Sequence, residues 1–251
     1  MKRIVLKSEI SIGSYLKCLD DIFVLSEVKN SSYICLVNVH MLIEAYDDDD
    51  FAGVVNSADM ALPDGSPVAK SIKYLHCIDQ DRVAGMDIMS DLMNKAEQRE
   101  KSIFLYGSTE NVLSKIVKKS GVVYPNLEIH SYSPPFRQLS DDEKLADIEM
   151  INKVNPDFVF VALGCPKQER WMYDNKGQIK SCMIGLGGVF PVFAGEVGRS
   201  PLWMQRNSLE WLYRLIKEPR RLWKRYLYTN SKFLFFIMFQ YIRVKLLRKL
   251  R

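Results

Sequence analysis

The sequence predicts an α/β fold, a parallel sheet flanked by helices, with a basic amphipathic helical appendage at its C-terminal end. Three observations predict it. Short apolar runs rich in β-branched and aromatic residues recur as far as residue 186, and stretches of helical period lie between them, the alternation expected of βαβ units. The charge is divided: residues 199–251 hold 14 Lys and Arg against only Glu210 and Glu218, which leaves 21 basic and 28 acidic residues in 1–198, so a net +5 conceals −7 followed by +12. The chain therefore reads as a body, 1–198, and an appendage, 199–251. Its 251 residues, 47% apolar and 26% charged, suffice for one sizeable core and exclude a disordered chain.

The first strand is expected over 33–38, followed by a helix over 40–47. The apolar run 54–62 supplies the next strand, and Pro63-Asp64-Gly65-Ser66 turns the chain into a helix over 66–77. A helix over 87–99 leads to a strand over 103–106, where Gly107, Ser108, Thr109 and Glu110 give a turn and a start signal for a helix over 109–119. The strand over 127–132 ends in Ser133-Pro134-Pro135-Phe136, the clearest loop, because two prolines join neither a ladder nor a helix interior. Ser140 with Asp141, Asp142 and Glu143 opens a helix over 141–154, its acids at the positive end of the helix dipole. Strands over 158–163 and 182–186, with a helix over 167–177 between them, complete a buried parallel sheet.

Several classes are disfavoured at once. The five cysteines are scattered and form no C-x-x-C pair, which suggests neither a disulfide framework nor a zinc site. Residues 1–17 contain no apolar stretch of signal-peptide length, so no export is expected. The Walker pattern is missing, and after Gly185 and Gly187 the sixth position of G-x-G-x-x-G is Phe190, which counts against a nucleotide-dependent oxidoreductase.

In the appendage, Trp203, Trp211, Leu212, Leu215, Trp223 and Tyr226 alternate with Arg214, Lys217, Arg220, Arg221 and Arg225, and Pro219 is expected to start a second helix. The apolar run 233–239 is too short to cross a hydrocarbon core, which needs about twenty residues. Such a segment suits the headgroup region of an anionic membrane, the preferred reading. A nucleic-acid backbone, or packing on the body or on another subunit of a homo-oligomer, are the alternatives.

Ligands of an open parallel sheet collect beyond the carboxyl ends of its strands. The residues there are Asn38 and His40, Asp64 and Gly65, Gly107 and Ser108, Gly164 with Lys167 and Gln168, and Gly187. A glycine turn followed by a helix start can approach a diphosphate, as Gly107-Ser108 or Gly187-Gly188 would, although any tight βα connection uses one. Asp64, between Pro63 and Gly65, is the carboxylate suited to take a proton from an attacking hydroxyl; its alternative is a cap for the helix after it. Arg82, near Gly85 and Asp87, suits a departing phosphate, or else an ion pair with Asp81 or Asp87. Lys167 suits a phosphate and Gln168 a sugar or base, against the plainer roles of capping and solvated charge. Metal ligands of D-x-D type exist in Asp47–Asp50 and Asp79/Asp81, but the first resembles a solvated helix end, and His40, His76 and His130 are too dispersed for a site; no metal and no cofactor is expected.

These same segments resemble the WecG/TagA/CpsF family of glycosyltransferases. The resemblance runs through N-V-H-M-L-I-E-A (38–45), L-P-D-G (62–65), R-V-A-G-M-D (82–87), L-Y-G-S (105–108), L-G-C-P-K-Q-E (163–169), G-x-G-G-V-F (185–190), R-x-P-x-W-M (199–204) and L-E-W-L-Y-R-L-x-x-E-P-R-R-L-W-K-R-Y (209–226). It implies a Rossmann-like, metal-independent, inverting enzyme. The activity implied moves N-acetylmannosamine, N-acetylmannosaminuronic acid or glucose from UDP to a lipid-pyrophosphate-linked saccharide, in the synthesis of teichoic acid, common antigen, capsule or exopolysaccharide. By the same resemblance Asp64 is the base, Asn38, Arg82 and Gln168 are active-site positions, and Arg214, Arg220, Arg221 and Arg225 belong to a membrane-docking appendage that holds the acceptor's pyrophosphate. Leu36 stands where several members carry Thr, removing a hydroxyl able to touch the sugar, so the donor is left open. The whole then predicts a cytoplasmic protein attached peripherally to the inner face of the cell membrane, with a UDP-sugar and a lipid-linked acceptor as partners and no nucleic acid.

Overall fold

The computed structural model describes residues 1–249. The chain opens with β1 (Lys2–Val5), β2 (Ser8–Ser11) and α1 (Tyr15–Glu27), then β3 (Ser32–Val37), α2 (Val39–Asp47), α3 (Asp49–Asn56), β4 (Met60–Pro63), α4 (Ser66–His76) and α5 (Gly85–Gln98). It continues with β5 (Ile103–Gly107), α6 (Glu110–Val123), β6 (Ile129–Tyr132), α7 (Asp141–Val154), β7 (Phe158–Ala162), α8 (Lys167–Asp174), β8 (Cys182–Gly185) and the short α9 (Phe190–Phe193). The appendage supplies α10 (Leu202–Arg206), α11 (Glu210–Lys217) and α12 (Pro219–Lys249). Six strands form one parallel sheet in the order β4-β3-β8-β7-β5-β6, with helices on both faces, so the architecture is Rossmann-like α/β.

Strands β3, β4, β5, β7 and β8 are buried along their whole length, because both sheet faces are covered. On one face Leu36, Leu62, Leu105, Phe160 and Ile184 meet α1, α5, α6 and α9. On the other, Tyr33, Val37, Ala61, Val159 and Met183 meet α2, α3, α4 and α8. The edge strand β6 is mostly half-buried. The expected capping at Ser140 is present in full: its hydroxyl accepts from Glu143 N while the Glu143 carboxylate accepts from Ser140 N.

The sequence reading departs from the fold in two places. The run 54–62 is not one strand, because Val54 and Val55 close α3 and only Met60–Pro63 joins the sheet. Phe51, Ala52, Val54 and Val55 are buried on a helical spacing, and Asp48 starts that helix by accepting from Phe51 N at 2.9 Å. The elements before residue 28 were not anticipated. Two four-residue strands pair antiparallel as a separate hairpin, burying only Val5 and Ile10 among the larger apolar side chains, and Ser11 Oγ accepts from Ala61 N at 3.2 Å beside β4.

Beyond Gly198 the appendage lies along the body. As expected, Pro219 is the first residue of its helix, the 31-residue α12. One face of α12 is held by the body: Lys232 Nζ donates to Asp47 Oδ1 at 2.5 Å, Phe236 stacks on Tyr46, Leu6 N donates to Gln240 Oε1 at 2.9 Å, and Arg248 Nη2 donates to Leu75 O at 2.6 Å. The other face exposes Leu227, Leu234, Phe235, Met238, Phe239, Ile242 and Leu246. Among the described residues no helix is long and apolar enough to cross a membrane.

Candidate functional site

The carboxyl ends of β4, β3, β8 and β7 adjoin one another, and the chain leaves them by tight turns. Asp64 follows β4 directly, its N–H donating to Val37 O at 2.9 Å, so the end of β3 fixes its backbone. Gly65 adopts φ +92°, a conformation costly for residues with a Cβ, and this lets the chain turn into α4 at once. Asp64 does not cap α4: the cap position is Gly65, which has no side chain, and Asp64 Oδ1 accepts instead from Gly85 N, at the start of α5, at 3.4 Å. Burial pushes the Asp64 carboxyl above the usual carboxylate range. Arg214 pulls it back, Glu210 adds to the rise, and the Gly85 N–H and Arg82 oppose it.

Arg82 is half-buried beside that carboxylate. One guanidinium nitrogen binds Glu210 of α11 and the other lies 3.6 Å from Asp87 Oδ2, while the other oxygen of Asp87, Oδ1, binds Arg199. Of the two ion pairs offered as the alternative role of Arg82, the one with Asp87 is present, whereas Asp81 is engaged elsewhere, accepting from Tyr15 N at 2.9 Å. Arg214, one turn beyond Glu210, donates to Gly188 O at 3.5 Å and so joins the appendage to the turn after β8.

Gln168 ties the two glycine turns together. Its Oε1 accepts from Gly164 N at 3.2 Å and from Gly187 N at 3.1 Å, while its Nε2 donates to the wholly buried Glu169 at 2.7 Å. A Cβ on Gly185 would fall 2.9 Å from Gln168 Nε2, and one on Gly187 would fall 2.5 Å from Gln168 Oε1. This close approach accounts for the G-x-G spacing without any ligand. Lys167, the first residue of α8, is exposed.

At the end of β3, Asn38 Oδ1 caps α2 by accepting from Met41 N at 3.1 Å, and its Nδ2 has no protein partner among the described residues. His40 Nδ1 is buried without a hydrogen bond, and burial together with Arg225 pushes the imidazole down to about 4, so the ring is neutral at pH 7. Gly107 and Ser108 end β5 against β7, Ser108 N donating to Ala162 O at 2.9 Å. Thus Asp64, Arg82, Gly85 and Arg214 form one cluster, Gly164, Gln168 and Gly187 a second joined to it through Gly188, and His40 with Arg225 a third. Arg220 and Arg221 lie apart on the surface, Arg221 paired with Glu218. Four of the six D-x-D carboxylates are in ion pairs, Asp47 with Lys232, Asp48 with Arg170, Asp49 with Lys7 and Asp79 with Lys73, and Asp81 accepts from Tyr15 N.

Glu210 is the member of the site that sequence reasoning missed. Its signal was available, since it is one of only two acids in a segment of charge +12.

A parallel sheet with a carboxylate at a strand end and the charges of two guanidinium groups acting on it has the means to deprotonate one group while cations receive another. That is the equipment of a group transferase. Comparison with known proteins narrows the class: the chain belongs to the glycosyl transferase WecG/TagA/CpsF family, whose profile matches residues 3–246. It is similar to an N-acetylglucosaminyldiphosphoundecaprenol N-acetyl-β-D-mannosaminyltransferase of Bacillus subtilis, 40% identical over 79% of this chain and 76% of the relative. A protein of the same description from Bacillus spizizenii is 36% identical over 78% and 75% of the two chains. One from Staphylococcus aureus is 27% identical over 80% and 78%.

Proposed function

We propose that the protein transfers a hexose or N-acetylhexosamine from a UDP-sugar to a polyprenyl-pyrophosphate-linked saccharide, with inversion and without a metal ion, in the synthesis of a bacterial cell-surface polysaccharide. The observation that carries the reading is Asp64, fixed at the end of β4 by Val37 O and the Gly85 N–H, with Val83 N bound to Pro63 O so that Arg82 follows close by, and with the charges of Arg82 and Arg214 acting on its carboxyl. In the reaction the acceptor hydroxyl gives its proton to Asp64 while its oxygen attacks the anomeric carbon. The bond from that carbon to the β-phosphate oxygen breaks, and its electron pair leaves with UDP, whose charge the guanidinium groups offset. A strengthened base suits the task, and the raised Asp64 carboxyl supplies one.

Of the candidate sugars, N-acetylmannosamine is the one named for the relatives described above. Leu36, whose apolar side chain left the donor open, belongs to the core cluster with Leu62, Val83 and Leu186 and lies against Gly85. Residues 1–198 would carry the donor site, and 199–251 would dock on the inner membrane face through the exposed apolar and basic side of α12. A panel of UDP-N-acetylmannosamine, UDP-N-acetylmannosaminuronic acid, UDP-glucose and NAD(P), each with an N-acetylglucosaminyl-diphosphate lipid, tests the reading. A glycosylated lipid of inverted anomeric configuration, formed in the presence of a chelator, is expected. Absence of transfer from every UDP-sugar would defeat it.

A further inference from the structure

Helix α11 brings two opposite charges to Asp64. Glu210 and Arg214 stand one turn apart and so share a face of that helix. Both act on Asp64, and each is also anchored, Glu210 to Arg82 and Arg214 to Gly188 O. Arg82 is close enough to influence Asp64, yet its nitrogens are directed at Glu210 and Asp87. Asp87 is shared with Arg199 and stands 3.6 Å from Arg82, which leaves Glu210 as the main restraint.

A guanidinium is a planar fork that closes on an available carboxylate. Were Arg82 to close on Asp64, it would occupy the lone pairs that must receive the acceptor's proton and make the carboxylate a weaker base. We propose that Glu210 is a positioning residue for the transfer reaction: carried in on α11, it holds Arg82 off Asp64 and keeps that carboxylate free to take a proton. The inference rests on the reading of Asp64 as the base. It gives α11 a part in the reaction, because a chain without α11 retains Asp64 and Arg82 but only the longer contact to Asp87, shared with Arg199, to hold Arg82 away.

The Gly85 N–H touches Asp64, and the charges that act on it are those of Arg214, Glu210 and Arg82. Neutralising Glu210 deletes a negative neighbour and at the same time frees a positive one, and both changes lower the pH at which Asp64 becomes a base. The test uses the full-length protein with UDP-sugar and lipid acceptor from acid to alkaline pH, comparing wild type, Glu210→Gln, Glu210→Asp and Asp64→Asn. In Glu210→Gln, kcat should fall about tenfold or more, the donor KM should stay within about threefold, and the acid limb of the kcat profile should move down by about half a pH unit or more. Glu210→Asp keeps the carboxylate and should restore most of the turnover. An acid limb in Glu210→Gln that superimposes on the wild type, or a loss confined to KM, overturns the role. Asp64→Asn separates two failures: if it still transfers sugar, the base reading itself falls; if it is inactive while Glu210→Gln shows no shift, only the role of Glu210 falls.

Discussion

Gln168 and Gly187 are in close mutual contact: the Gln168 side-chain oxygen accepts the Gly187 N–H at 3.1 Å, and a Cβ at position 187 would come within 2.5 Å of that oxygen, so any other residue there would have to displace the amide. The same oxygen holds Gly164 N, so one amide joins the ends of β7 and β8. A residue expected to meet a sugar or a base is largely committed to the protein itself.

Gln168→Leu should therefore act on stability before it acts on substrate. Two backbone N–H groups lose their acceptor and Glu169 loses a donor, at a cost of about 1–3 kcal/mol for each group left buried and unpaired. Urea denaturation should give a loss of at least about 2 kcal/mol. A midpoint within error of wild type would show that water or another residue replaces the amide without cost.

Asp64→Asn should separate function from stability. Replacing a general base costs about 10²- to 10⁴-fold in rate, and UDP binding should survive, since the guanidinium groups remain. The sign of the stability effect follows from the raised carboxyl: the contribution of Asp64 is fully present only below its unfolded pKa and is lost as pH rises through the folded value. At pH 7–8 the uncharged Asn should be as stable as wild type or more so by thermal melting. Near-normal turnover, or a collapsed melting temperature, would contradict the assignment.

Glu169 gives the molecule a pH dependence of its own. It is wholly buried, its Oε2 has no partner, and burial raises its carboxyl from 4.5 to about 7. Its contribution is complete at acid pH and is lost as pH climbs from 4.5 through about 7, a change of about 3 kcal/mol when fully developed. Denaturation at pH 5 and pH 8 should find that gap in wild type and a smaller one in Glu169→Gln. Equal gaps in the two proteins would rule Glu169 out as its source.

Much of this was legible in the chain because it rests on local chemistry. The apolar runs mark β3, β5, β7 and β8, since a strand covered on both faces leaves no room for polar residues. Pro63-Asp64-Gly65 marks the strand end because only a glycine there allows the turn. Val54 and Val55 misled because two adjacent β-branched residues look the same at the end of a buried helix as in a strand, and Asp48, the cap that decides the matter, was read as part of a solvated acidic run. The hairpin β1–β2 was silent because four-residue strands with Lys, Arg, Ser and Glu carry almost no apolar signal. Glu210 was missed for another reason: an acid in so basic a segment stands out, but what it does depends on Arg82, 128 residues earlier in the chain, and no local pattern reports such a pairing.

The last prediction concerns α12, which must satisfy two surfaces. Leu222, Thr229 and Phe233 are buried, with Gln240 and Val244 continuing the same stripe along the body. Opposite them, Leu234, Phe235, Met238 and Phe239 stand exposed beside basic residues, the composition of a helix lying in a headgroup layer. Replacing those four by Ser removes apolar surface from water-facing positions only, so the fold and its melting temperature should be retained. Each buried CH₂ contributes about 0.8 kcal/mol to insertion, and the four changes together should reduce sedimentation with anionic liposomes by about 100-fold or more in affinity. Transfer to a lipid-borne acceptor should fall in parallel, while transfer to a short-chain soluble analogue is unaffected. Wild-type sedimentation by the quadruple variant would mean that the exposed face serves something other than a membrane. If both acceptors instead lost turnover equally, the fault would lie in how α12 holds α11, and with it Glu210, over Asp64.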